Sequence, residues 1–155
     1  MNSIEESLKQ HGFELPHAPA AIGAYIPVVK TGSLIVTSGQ LPIAGKEVMF
    51  TGKLGAELHD TDGQNAACLC LINALAQIKN CINDLSRIEQ IVRLEGYVNS
   101  APGFTQQPHV LNAASELLLE AFGEKGRHSR IAVGVNELPL NAAVELALWV
   151  QVAED

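Results

Sequence analysis

The sequence is short of the features that mark several function classes. Charged residues make up only 17% of it, and ten lysines and arginines face seventeen aspartates and glutamates for a formal net charge of −7. With aromatics at 5% there is no broad basic, aromatic-laced surface to neutralise and stack on a nucleic acid, so no nucleic-acid partner is expected. Cys68, Cys70 and Cys81 are odd in number and lack a CxxC spacing, which argues against a disulfide framework and for buried, reduced thiols. His11, His17, His59, His109 and His128 are scattered singly, without HxH or HExxH spacing, so no metal is expected. GxSxG, the P-loop and GxGxxG are all missing, and with them the usual signs of a serine hydrolase or a nucleotide cofactor.

Long apolar runs are missing too. The longest, AACLCLINALAQI, is short and interrupted by Asn73 and Gln77, so no membrane span is expected. MNSIEESLKQHGFELP carries acidic residues and no apolar core, unlike a secretory signal or a basic presequence, and a cytoplasmic protein is expected.

What is present is periodicity. With 155 residues, 47% of them hydrophobic, the chain suits a single domain spanning 1–155. Ser3 stands three residues ahead of Glu6, the capping-box spacing, and predicts a short amphipathic helix over 4–11 within an N-terminal extension of residues 1–12. Ala24–Val29 and Ser33–Thr37 read as a hairpin about KTG, with a further strand at Val48–Thr51. Thr61 with Gln64 predicts the cap of a long helix that turns Asn65, Asn73, Gln77 and Asn80 to one side and Cys68, Leu71, Ile72, Leu75, Ile78 and Ile82 to the other. EQIVRLEGYV reads as a strand, and Pro108 opens a helix that stops at Gly123. Two final strands complete an α+β domain, with helices on one face of a largely antiparallel sheet.

Those last strands hold two residues out of keeping with their surroundings. Alternation puts Ile131, Val133 and Val135 on one face, with Val144, Leu146, Leu148, Val150 and Val152 as the floor for the helices. The other face shows Arg130, Ala132 and Gly134 beside Ala143, Glu145, Ala147, Trp149 and Gln151. If Val135 pairs with Ala142 across NELPLN, Ala132 lies opposite Glu145 and Arg130 opposite Ala147. Glu145 and the Ala132 backbone then hold one water between them, and Arg130 grips a carboxylate with a two-pronged hydrogen bond. The alternative is an ion pair within or between subunits, which has no chemistry of its own. Tyr25 reads more readily as a half-buried packing residue than as a ligand contact, and GEKGR as a plain turn rather than an anion cradle.

APAAIGAYIPVVKTGSLIVTSGQLP and HVLNAASELLLEAFGEKGRHSRIAVGVNELPLNAAVELALW together resemble the reactive intermediate deaminase superfamily, also known as Rid or YjgF-like. SGQLP and the late arginine, leucine–proline turn and VEL carry the likeness. It implies a chorismate-mutase-like fold and a homotrimer with a central barrel, whose intersubunit clefts take small carboxylates or imino acids. The implied activity is cofactor-free hydrolysis of 2-imino acids or enamines to 2-keto acids and ammonia. By that likeness Arg130 grips the substrate carboxylate, Glu145 positions the water, and Tyr25, Ser38 and Asn112 line the cleft. The chain departs from the pattern at Ala132, where active members commonly carry cysteine, and the backbone there would have to serve. It also looks like a longer branch, adding residues 1–12 and an extended 99–110 loop. A non-catalytic, trimeric carboxylate-binding protein is the rival reading, and an endoribonuclease a third.

Overall fold

The Glu6 amide donates to Ser3 Oγ, and the Ser3 amide donates to the Glu6 carboxylate; this reciprocal cap starts α1 (Ile4–Gln10). The computed structural model describes residues 3–21 and 23–154, so positions 1 and 2 of the extension lie outside the described residues. α1 packs onto the body of the protein. Leu8 is fully buried, Ser7 Oγ donates to the Glu120 carbonyl at 3.2 Å, and Lys79 pairs with Glu5 at 2.8 Å.

β1 (Val28–Thr31) and β2 (Leu34–Thr37) form the predicted hairpin, turning at Gly32 with φ 59°. β1 begins four residues later than Ala24, so Tyr25 sits in a bend ahead of it. Beyond Ser38, whose amide donates to the Pro27 carbonyl at 2.8 Å, the pairing stops at a proline that has no amide hydrogen to offer. The further strand expected at Val48–Thr51 is instead a small ribbon of β3 (Ile43–Ala44) and β4 (Glu47–Val48), and Phe50, two residues beyond it, has φ 57°.

α2 (Asp60–Ile82) corrects two expectations. Its N-cap is His59, whose amide donates to the Asp62 carboxylate at 2.9 Å; Thr61 lies inside the first turn, with Asp60 and Asp62 favourably placed against the helix dipole. Asn73 and Gln77 do not face solvent either: they are 0% and 3% exposed. Long and apolar enough by composition to cross a bilayer, α2 is mostly buried by the rest of the chain, as a core helix is. Burial pushes the Cys68 thiol up to about 11 and raises the Cys70 thiol as well, whereas Cys81, in the last turn, is exposed rather than buried as expected.

β5 (Ile88–Asn99), α3 (Gln107–Phe122), β6 (Ser129–Val135) and β7 (Val144–Val152) complete a five-stranded sheet of order β1-β2-β7-β5-β6. β5 and β6 are parallel, with α3 as their crossover, and the other neighbours are antiparallel. β6 and β7 therefore flank β5 on opposite sides, and the predicted NELPLN hairpin does not exist. The connection passes over the end of β5, where buried Asn99 donates through Nδ2 to the Ala142 carbonyl at 3.1 Å and through its amide to the Ala143 carbonyl at 2.9 Å. α2 and α3 cover one face of the sheet. α3 lies so close that a Cβ on Gly96 would come within 2.4 Å of Leu111 Cδ1.

Candidate functional site

Residues paired across a sheet point to the same face, and β5 relates its two neighbours. Leu94 pairs with both Arg130 and Leu148, Gly96 with Ala132 and Leu146, Tyr97 with Val133 and Glu145. Arg130 and Ala132 therefore lie on the helix-covered face. Glu145 lies on the open one, and the predicted pairings of Ala132 with Glu145 and Arg130 with Ala147 are corrected. Ile131 and Val133 are not floor for the helices but share the open face, with Ile131 36% exposed. Clearance is the reason at the end of β6: a Cβ on Gly134 would meet Gln107 Nε2 at 2.7 Å.

The candidate residues consequently fall into two groups. Tyr25, Ser38 and Glu145 line one cavity of about 530 Å³, walled by Pro19, Gln40, Leu41, Gln77 and Leu140 among others, with no lysine, arginine or histidine in its lining. Tyr25 stands at the surface, 49% exposed. Ser38 Oγ donates to the Ile26 carbonyl at 2.7 Å, which fastens the segment that carries Tyr25. The Glu145 carboxyl makes no hydrogen bond or ion pair with any described residue, and burial holds its pKa above the ordinary glutamate value. Gly39 gives it room: a Cβ there would lie 2.3 Å from Glu145 Oε1.

The wall opposite is tied to α2. Asn73 Nδ2 donates to the Leu41 and Ile43 carbonyls, each at 3.0 Å, and Gln77 Nε2 donates to the Pro19 carbonyl at 2.6 Å. Assigning these amides to a solvent face missed their role. The available signal was an asparagine and a glutamine one helical turn apart in an otherwise apolar run, where burial demands partners.

Arg130, Asn112 and Ala132 form the second group. Arg130 Nη1 donates to Asn112 Oδ1 at 2.9 Å and to Ser115 Oγ at 3.2 Å, both on α3. No described carboxylate pairs with Arg130, so within one chain the Arg–Glu ion pair is not formed. Ala132 packs against the hydrophobic core. The first group is thus built round an acid in an apolar cavity. The second is built round a cation held only by neutral acceptors.

The chain and its fold have counterparts. A family model described as "YjgF/chorismate mutase-like, putative endoribonuclease" matches residues 5–152. The chain belongs to this YjgF-like family. Among curated relatives, Protein TCP17 of Trypanosoma cruzi is 42% identical over 96% of this chain and 93% of its own length. The 2-iminobutanoate/2-iminopropanoate deaminase of Salmonella typhimurium is 27% identical over 84% of this chain and 88% of its own. A solved structure, described as a putative endoribonuclease from Shewanella oneidensis, superposes with a TM-score of 0.93 at 41% identity, covering 97% of this chain and all of that one. The α+β fold with its mixed sheet is therefore that of the YjgF-like proteins.

Proposed function

We propose that the protein is a cofactor-free imine hydrolase, converting 2-imino acids or their enamine tautomers to 2-keto acids and ammonia at a site completed by a second copy of the chain. The observation that carries this reading is the Glu145 carboxyl, without a partner among the described residues, in an apolar cavity where burial raises its pKa above the ordinary glutamate value, the direction that suits a group that takes and returns a proton. The similarity to a 2-iminobutanoate/2-iminopropanoate deaminase supports the same chemistry.

The steps need no other reagent. Glu145 as carboxylate takes a proton from a water while the water oxygen bonds to the imine carbon and the imine nitrogen gains a proton from solvent. The resulting carbinolamine collapses: its hydroxyl returns one proton to solvent as the carbon–oxygen double bond forms, the carbon–nitrogen bond breaks, and nitrogen leaves as ammonia with the proton Glu145 returns. An imine is already an electrophile, so positioning and modest acid–base help suffice. The substrate carboxylate needs a cation that this cavity lacks, and Arg130 of the same chain lies on the other face of the sheet. A homotrimer with a central barrel would bring one copy's Arg130, Asn112 and Ala132 backbone to another's Glu145, Tyr25 and Ser38. The open sheet face, with Ile131 and Trp149, is the surface on which such copies would meet.

The test is ammonia release from imines generated in situ by an amino-acid oxidase. Purified protein accelerates it and Arg130→Ala abolishes the gain; equal rates with and without the wild-type protein reject the reading. Ala132, which brings no reactive group beside Arg130, favours a second reading as a trimeric carboxylate-binding protein. Binding of 2-oxobutanoate without turnover selects it. RNA cleavage is disfavoured by the −7 net charge, and RNA left intact by the purified protein closes that possibility.

A further inference from the structure

We infer that Ser115 and His128 are positioning residues for Arg130, forming a one-way hydrogen-bond relay that fixes which edge of its guanidinium meets a ligand carboxylate. The inference rests on the proposed role of Arg130 as the carboxylate anchor. His128 Nδ1 lies 2.6 Å from the Gly126 carbonyl, and its Nε2 lies 2.9 Å from Ser115 Oγ. A carbonyl oxygen only accepts, so Nδ1 carries a proton, and with a single proton on the ring Nε2 is an acceptor. Ser115 therefore donates to His128 and turns a lone pair towards Arg130 Nη1, 3.2 Å away. Every link has one allowed direction: Arg130 to Ser115, Ser115 to His128, His128 to the Gly126 backbone.

The consequence is chemical. Nη1 has two hydrogens, and Asn112 Oδ1 and Ser115 Oγ supply an acceptor for each. The donors left are Nε–H and the pair on Nη2, so the two-pronged grip of a carboxylate is side-on, through Nε and Nη2, and the end-on fork is closed. Asn112 and Ser115, three apart on α3, present both acceptors from one helix face, and His128 lies just ahead of β6, two residues before Arg130. A histidine at hydrogen-bond distance from a serine suggests a nucleophile, but this hydroxyl is already engaged by the guanidinium. Positioning is the role its contacts fit.

Titration with 2-oxobutanoate and kinetics on in situ imines test the relay. Ser115→Ala and His128→Phe are each expected to raise Kd and KM roughly fivefold, the worth of one hydrogen bond, with kcat little changed. Ser115→Thr, which keeps the hydroxyl, restores wild-type values, and the double variant is no worse than the worse single one because both break the same chain. Binding abolished by Arg130→Ala but unmoved by either single variant overturns the relay alone. Binding that survives Arg130→Ala overturns the proposed function and the relay with it.

Discussion

Glu145 sits where a carboxylate is poorly solvated and has no partner among the described residues, so its presence lowers stability at neutral pH. Glu145→Gln should raise stability by on the order of 1 kcal/mol, a figure kept small because solvent reaches the site, while removing imine hydrolysis. The sign follows from the raised native pKa. Below about pH 4.3 the carboxyl is protonated in folded and unfolded chains alike, and stability matches the glutamine variant. As pH rises through the native value that parity is lost, and thermal melting of the two proteins across pH should diverge upward for the variant. At this scale the sequence exposed Arg130 and Glu145, because charges stand out against apolar alternation. It hid Gly39, Ser115 and His128, whose significance is a contact with a residue far along the chain: Ser115 to Arg130 at 3.2 Å, Gly39 against Glu145.

The elements were legible in proportion to how local their causes are. Ser3 and Glu6 cap α1 within four residues, Gly123 closes α3 with φ 60°, and each is a nearest-neighbour event. β6 was misread because alternation divides a strand into two faces without saying which one is covered. Its larger apolar residues pointed inward by the usual rule, yet the strand turns Ala132 and Gly134 towards α3, which lies too close to Gly134 to leave room for a side chain. α2 was misread in a related way, its buried amides mistaken for a solvated side. Asn73→Ala strips donors from the Leu41 and Ile43 carbonyls and should cost about 2 kcal/mol. Faster amide exchange through residues 41–48, together with a higher KM, would show that α2 holds the cavity wall.

At the scale of the whole molecule, the decisive fact is that Arg130 and Glu145 lie on opposite faces of one sheet. If the working site spans two copies, Arg130→Ala and Glu145→Gln chains, each inactive alone, should recover activity when co-expressed and assembled together. For random mixing in equal amounts about a quarter of the sites would hold both intact groups. Recovery of none, or a monomer by sedimentation, would rule out a shared site. By itself the sequence determined the class of fold, most element positions and the two charged residues on which the proposed chemistry turns, because caps, turns and side-chain period act over a few residues. Only the tertiary structure decided that β5 lies between β6 and β7, and so which face each side chain takes. Strand order is set by a crossover helix and a shared core, contacts between segments that no local pattern specifies.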